Sequence, residues 1–373
     1  MRAFSKGLFT TLTLLSVSNL SAIMIAPRQE DPKSEPPLAI VPPPEKKVET
    51  TKGKKPEVNP KEKWGGRAPY RVSPKYGFFA SAEALYWRAD FQSFYSFKQT
   101  TTAKDGNPLV KYQAKHAHSH MDFGFRVGVG YLGARDDWEV GADWTHIRLK
   151  SIGNEIVGNG ESLTVFVPNA LFPFVAQHAK EKVTHMMLND GNLMVKREFL
   201  VTPWISLKPG VGVEYFRLDT DILAPFKQIT INGSTPIGSN SALLTFKNDF
   251  WGIGPKLDLR MRWLLGWGFS LFGEVGGSLL YGRFATEQSN DLPVDIAYKA
   301  TSGTRMSVPA LNYLIGFEWN RLFWKDWLRF HFHAGWEQHI YFQLMQYDVI
   351  GAYDSNNGNF ATEGVTAGLR LDF

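Results

Sequence analysis

A period of two runs through most of this chain and ends only at its last residue. Val365, Ala367, Leu369, Leu371 and Phe373 interleave with Gly364, Thr366, Gly368, Arg370 and Asp372. Successive side chains of a strand point to opposite faces, so the pattern gives a strand with one apolar and one polar face. Trp251, Ile253, Pro255, Leu257, Leu259, Met261 and Trp263 alternate in the same way with Gly252, Gly254, Lys256, Asp258, Arg260 and Arg262. Trp267, Phe269, Leu271, Val275, Leu279 and Tyr281 share the apolar face of the next run, against Ser270, Glu274, Ser278 and four glycines. Runs around Phe123–Tyr131, Ile205–Tyr215, Leu311–Trp319 and Leu328–Trp336 repeat it. Three runs are less regular. The run from Phe78 to Trp87 is apolar on both faces around Glu83, the run from Trp138 to Lys150 changes phase near Trp144, and Val183–Thr202 is weakly patterned. No run of about eighteen apolar residues occurs beyond the N-terminal segment, so no transmembrane helix is expected.

Alternation alone also suits a soluble sandwich, and the aromatic residues decide between the two. The chain holds 12 Trp, 13 Tyr and 27 Phe, yet its mean hydropathy is only −0.22. Trp251 and Trp263 lie on one face of one run. At ~3.3 Å per residue and a tilt of ~40°, their separation projects to roughly 30 Å, close to the spacing of the two aromatic girdles of an outer-membrane barrel. Trp251, Trp263, Trp267 and Trp319 are the expected girdle residues.

The connections agree. Ten runs span about 77–98, 119–133, 137–150, 183–202, 204–217, 247–265, 267–283, 304–320, 326–345 and 360–373. The gaps alternate between short (134–136, Pro203, Gly266, 321–325) and long (99–118, 151–182, 218–246, 284–303, 346–359). Short periplasmic turns, long external loops and an even strand number define an up-and-down transmembrane barrel. The expected fold is therefore an all-β, antiparallel transmembrane β-barrel of about ten strands. Twelve is the alternative if 163–167 and 171–175 form a further hairpin. Pro255 lacks a ladder donor within a closed barrel, and a bulge near Gly254 would accommodate it.

The N-terminal part is different. Arg2 and Lys6 precede an apolar stretch, Leu8 to Leu15, and a small-residue end at Ser18 to Ala22, as in a secretory signal peptide of residues 1–22. Residues 23–70 carry ten prolines among Lys, Glu and Thr, a composition that buries too little to offset chain entropy, so a disordered periplasmic tail is expected. Residues 71–373, the expected barrel, hold 29 basic and 29 acidic side chains, so the net +5 of the whole chain lies entirely in the first 70 residues. A nucleic-acid-binding face on the barrel thereby loses its support. The absence of cysteine excludes a disulfide scaffold, a thiolate metal site and a cysteine nucleophile.

The blocks YGFFASAEALYW (76–87), MDFGFRVGVGYLGARDDWEVGADWTH (121–146), NDFWGIGPKLDLRMRWLLGWGFSLFGEVGGSLLYGRF (248–284) and GWEQH (335–339) resemble the Legionella-type pore-forming major outer membrane protein family, which has members in chlamydia-related bacteria. The resemblance covers roughly 76–373. It implies a porin-like barrel of the bacterial outer membrane, with no catalytic residues to carry over. The Pro/Lys-rich tail is not part of that pattern, and the lack of Cys departs from the disulfide-linked protein of chlamydiae proper.

Motifs for chemistry are sparse. Gly128 to Gly133 fits G-x-G-x-x-G but lies within a strand with no helix after it, and so lacks the context of a nucleotide site. His331 and His333 share a face with Glu337 and His339. Such imidazoles can bind Zn²⁺ or Cu²⁺, but a polar wall partnered by carboxylates and Arg329 is the plainer reading. No cofactor, metal or enzymatic activity is expected. If the polar faces point inward, the lumen is lined by Arg126, Lys256, Asp258, Arg260, Arg262, Glu274, Glu318, Arg329, His331, His333, Glu337, His339 and Arg370. Facing rows of opposite sign then either create a transverse field for passing solutes or pair into salt bridges that close the barrel. Ten to twelve strands leave a narrow pore at best, with inward glycines giving it bore. Passive diffusion of small hydrophilic solutes is the expected function. A structural envelope tether reaching peptidoglycan through the tail, or an adhesin on a closed barrel, is the alternative. Leu369, Leu371 and Phe373 form the expected signal for the barrel insertion machinery. Outer-membrane lipid is the expected surrounding, and a homo-oligomer is left open.

Overall fold

The computed structural model describes residues 77–91, 97–104, 107–114, 118–133, 138–156, 161–165, 174–176, 178–227, 230–231, 241–291, 298–323, 328–347 and 356–373. The expected signal peptide (1–22), the tail (23–70) and the turn at 134–136 lie outside the described residues.

Ten strands close one antiparallel ring. They are β1 (Gly77–Phe91), β2 (Asp122–Leu132), β3 (Trp138–Arg148), β4 (His178–Arg197), β5 (Ile205–Lys227), β6 (Ser241–Gly266), β7 (Phe269–Asp291), β8 (Tyr298–Phe323), β9 (Leu328–Tyr347) and β10 (Asn356–Asp372). Each pairs with the next in sequence, and β10 returns to β1 with Phe79 opposite Asp372 and Phe91 opposite Phe360. Backbone bonds between Phe78 and Phe373, 2.9 and 2.8 Å, fasten the two ends of the chain at this junction. Closure satisfies every ladder without an edge, as a wall in hydrocarbon requires. The antiparallel barrel of ten strands is thus the fold the alternation predicted.

The twelve-strand alternative is overturned. Glu161–Val165 and Phe174–Ala176 do pair, but they join a second sheet with Phe97–Lys104, Asn107–Ala114 and Thr230–Ile231, built wholly from connections at the long-loop end. The barrel wall keeps ten strands.

The strands are also longer than the alternation suggested, for a physical reason. In β5, Val211, Val213 and Tyr215 point outward and Glu214 inward. From residue 216 on, Phe216, Leu218, Ile222, Ala224 and Phe226 point inward and are buried, while Arg217, Asp219 and Asp221 point outward. In β6 the outward row Trp251–Trp263 is apolar, but Lys247 and Asp249 continue it toward the loops, and Leu244, Phe246 and Phe250 are buried inside. The period of two is unbroken while its polarity inverts. Below the inversion the outer face meets lipid and the inner face is polar. Above it the outer face meets water and the inside becomes an ordinary apolar core. Most of the expected loops 218–246 and 284–303 are therefore strand, continuing β5 to Lys227, starting β6 at Ser241, continuing β7 to Asp291 and starting β8 at Tyr298.

The same inversion explains the irregular runs. β3 has no phase change: Trp144 points outward and Glu139, Asp143, Thr145 and Ile147 inward, with Ile147 and, just past the strand, Leu149 entering the apolar half. In β1, Leu85, Trp87, Ala89 and Phe91 are inward and buried, so both faces read as apolar. Two smaller expectations are corrected. No bulge marks Pro255. The β6–β7 register is the same before and after it, with Ile253 opposite Tyr281 and Lys256 opposite Ser278, and the ladder simply skips Gly254 and Pro255. A side chain at Gly254 would overlap the Leu279 carbonyl, so glycine is what lets the two backbones approach there. Nor do inward glycines widen the bore. The Phe79 ring lies across Gly130 of β2 and Gly141 of β3, and either Cβ would collide with it. In β7 only Gly276 and Gly282 of the four glycines share the inward face, where Phe272 and Leu280 also point.

Candidate functional site

The lower, turn-side half of the barrel encloses a polar chamber of about 1470 Å³. Its mouth is framed by the β6–β7 turn and by Asn320, Arg321, Leu322 and Arg329. That turn takes three successive left-handed residues, Gly266 (φ 103°), Trp267 (φ 56°) and Gly268 (φ 85°). Glycine adopts this conformation without strain, and Trp267 between them does not. Trp267 is 80% exposed at this rim. Trp251 and Trp263 project outward from β6, and Trp319 is half-buried on β8 near the turn end.

Every side chain in the expected lumen set lines the chamber: Arg126, Lys256, Asp258, Arg260, Arg262, Glu274, Glu318, Arg329, His331, His333, Glu337, His339 and Arg370. Alternation places them there, because each occupies the polar phase of a strand whose other phase faces lipid. The weakly patterned strands hid further members. Glu83, Glu139, Asp143, Asp190, Lys196 and Glu198 also line the chamber. Their signal was the even row Asp190, Asn192, Met194 and Lys196 of β4, continued by Glu198, with the odd-numbered acids Glu139 and Asp143 of β3 and Glu83 of β1.

The charges are paired rather than free. Arg126 bonds Glu83 at 2.7 Å and Glu337 at 2.7 Å, reaching from β2 to β9 across the inside of β1 and β10. Lys196 reaches Asp258 at 2.5 Å and Glu274 at 3.5 Å. Lys256 holds Glu214 at 3.1 Å and donates to Asn192 Oδ1 at 2.8 Å. Arg260 and Arg262 converge on Glu318 at 2.8 and 3.0 Å, and Arg262 also pairs with Glu198. Glu139 receives Lys208 at 2.7 Å and Arg370 at 2.8 Å. The histidines each lie against carboxylates: His331 on Asp372 at 2.9 Å, His333 on Glu83 at 3.5 Å, His339 on Glu337 at 2.7 Å. Among the described residues no group of three or more potential ligands could hold a metal. Some pairs join adjacent strands or neighbours on one strand, but those of Arg126 with Glu337, Lys196 with Asp258, Arg260 and Arg262 with Glu318, and Glu139 with Lys208 and Arg370 join strands two or three apart and brace the wall from within. Among the described residues, several chamber-lining polar atoms find no partner, namely Asp190 Oδ1, Asp258 Oδ1, Arg260 Nε and Asn320 Oδ1. Buried polar atoms of this kind call for water.

Above the chamber the lumen is blocked. Phe216 of β5 and Tyr341 of β9 stack across it with ring centroids 4.0 Å apart. Phe250 packs on Phe284 at 4.4 Å, and Trp87, Leu280, Val308, Leu344, Met345 and Phe360 complete a buried apolar cluster. Asn248 of β6 donates from Nδ2 to the Leu344 carbonyl at 3.1 Å, a second link across the lumen. The boundary with the chamber is hydrogen-bonded: Trp87 Nε1 donates to Thr366 Oγ1 at 3.0 Å, and Thr366 donates to Glu337 at 2.6 Å. Sequence reading missed this constriction because it assigned inward apolar residues to loops or to irregular phase.

A closed antiparallel barrel with a lipid-facing apolar band, two aromatic borders and a polar interior is an outer-membrane β-barrel. The family described as Legionella pneumophila major outer membrane protein precursor matches residues 72–373. The chain belongs to that family and is an outer-membrane protein. No curated protein matches the sequence. Among solved structures it is similar to the outer membrane protease OmpT from Escherichia coli, at 11% identity over 81% of this chain and 99% of that one, with a TM-score of 0.41. It is also similar to the outer membrane protein OprG from Pseudomonas aeruginosa, at 16% identity over 65% and 95% of the two chains (TM-score 0.27). A FadL homologue from Pseudomonas aeruginosa matches at 9% identity over 80% and 90% (TM-score 0.22).

Proposed function

We propose that this protein is a narrow, gated pore for the passive diffusion of small hydrophilic solutes, without enzymatic activity. The observation that supports it is the polar chamber of about 1470 Å³, open at the turn end and lined by charged side chains of both signs. Charged rows around a hydrated lumen favour polar solutes and ions over apolar ones. The Phe216–Tyr341 layer then acts as a hydrophobic gate, which conducts only when wetted. Solutes entering the chamber wait on rearrangement of that layer, so conductance is expected to be small and intermittent. Reconstitution of the folded protein into planar bilayers tests this. Brief, low-conductance openings support the reading, and a silent bilayer with protein shown to be inserted refutes it.

One observation favours a second reading. An apolar core that fills the protruding half of the lumen is also what a permanently closed barrel would have, serving as an envelope tether or as a platform for its external loops. Absence of conductance together with binding of cell-wall fragments or host surfaces would select it.

A further inference from the structure

The outward face at the loop-side border of the apolar band carries an unusual juxtaposition. Arg283 of β7 and Arg305 of β8 are directly opposed in the ladder, and both are exposed. Like charges directly opposite one another on a sheet face are destabilising. Two other arginines at this border have carboxylates: Arg88 pairs with Glu363, and Arg217 with Asp219 at 3.0 Å. One ladder step from the pair toward the loops, Ala285 lies opposite Gly303, and beyond that Glu287 pairs diagonally with Lys299 at 2.7 Å. Arg283 and Arg305 make no ion pair or side-chain hydrogen bond among the described residues.

We propose that Arg283 and Arg305 bind a phosphate group of a phosphorylated glycolipid in the outer leaflet. Their depth fits. Tyr281, 57% exposed, is the last aromatic of the outward row of β7, and Arg283 follows it on the same face. Aromatic side chains mark the headgroup level, and the next outward residue therefore meets the headgroups themselves. Short turns face the periplasm in such barrels, so this border belongs to the external leaflet. The donor set fits as well. Two guanidinium forks present planar arrays of N–H donors suited to phosphate oxygens. Tyr281 and Ser307, opposed one step below, add two hydroxyl groups, and Trp251 flanks Arg283 in the same row. A dianionic phosphate between the forks converts a repulsive pair into two charge-assisted contacts. The glycolipid, rather than a phospholipid, is the occupant chosen, because a sugar-borne phosphomonoester carries close to two negative charges, matching the two opposed guanidinium groups, whereas a phospholipid's phosphodiester carries one.

The test uses the full chain, refolded and freed of lipid in a neutral detergent. Thermal midpoints are measured with added diphosphorylated lipid A, its fully dephosphorylated form, or phosphatidylglycerol. Wild type is expected to be stabilised by the first and little by the other two. R283Q and R305Q should each weaken the apparent affinity about ten- to a hundredfold, the loss expected for a charge-assisted contact. Without lipid, R305Q should melt higher than wild type, because the opposed charge is gone; a lost structural contact would have the reverse effect. Undiminished lipid A binding by the single variants, equal stabilisation by the dephosphorylated lipid or phosphatidylglycerol, or a lower lipid-free midpoint for R305Q would each overturn the proposal.

Discussion

Truncating the two rings that stack across the lumen should open the pore. In the double variant F216A/Y341A, the layer with centroids 4.0 Å apart is removed, while the chamber beneath keeps all its ion pairs. An ion crossing an apolar layer sheds its hydration, at an effective cost of several kcal/mol. If wetting lowers that barrier by ~3 kcal/mol, passage accelerates roughly a hundredfold, since each 1.36 kcal/mol is a factor of ten. The same substitutions remove buried aromatic area, and a single Phe→Ala change in a core costs about 3–5 kcal/mol. Because the rings touch each other, the two losses should not add fully. The assay is single-channel recording on wild type and variant in planar bilayers, with heat-dependent electrophoretic mobility as proof that each barrel is closed. A variant that runs as a compact barrel yet conducts no more than wild type would refute the assignment of this layer as the barrier. So would a wild-type protein already conducting at the variant's level.

Three further outcomes are expected. E337Q removes the charge that Arg126 meets at 2.7 Å and His339 at 2.7 Å, and should cost about 3 kcal/mol, the low end for a broken buried pair since the chamber admits water; urea titration of tryptophan fluorescence measures it. Deleting Phe373 removes the two backbone bonds to Phe78 at the β1–β10 closure and part of the expected insertion signal, and should lower the assembled fraction in isolated outer membranes; unchanged surface levels would contradict this. Asp249 lies beyond the apolar band, and burial, followed by the nearby Asp219 and Asp221, pushes its carboxyl pKa up. A raised carboxyl disfavours the folded state when ionised. D249N should therefore be more stable than wild type at pH 7, with the difference closing as pH falls through the raised value toward the ordinary ~4; a constant difference across that range would show another cause.

How far the sequence could be read depended on which solvent each face meets. Where the outer face meets lipid and the inner face is polar, the apolar phase of Trp251–Trp263 or Phe123–Tyr131 marks the outside, and Arg260, Glu318 and His331 fall inside by parity alone. Where the strands leave the bilayer, the same parity carries the opposite meaning. Phe216 follows Tyr215, and one faces the core while the other faces lipid, so a stretch such as YFRLD (215–219) carries no sign of where the switch falls. The ion pairs were half legible. Period two identifies inward charges, but which strand faces which across the lumen depends on closure and register, and no run by itself shows that Arg126 meets Glu337. The Arg283–Arg305 opposition needed the β7–β8 register for the same reason.

The inversion also sets a condition on any gate in this barrel. β5, β6, β7 and β8 continue roughly ten residues past the aromatic border, into a region where both hydrophobic lipid and the charged lumen are absent. A strand ladder alone does not hold such a tube closed in water, because unfolding would re-solvate its backbone at little net cost. The apolar layer of Phe216, Phe250, Phe284 and Tyr341 supplies what is missing, with each fully buried aromatic contributing roughly 1.5–3 kcal/mol. The constriction is thus the core of the protruding half as well as the barrier in the lumen. Widening it must weaken the structure that displays the external loops. Conductance and loop-end stability should consequently vary inversely across substitutions in this layer. F250A, F284A and Y341A ranked by channel current should fall in the reverse order when ranked by resistance of the loop-end strands to proteolysis. Substitutions confined to the chamber and away from this boundary, such as E139Q, should leave that resistance unchanged. An absence of correlation would separate the two roles and place the barrier elsewhere.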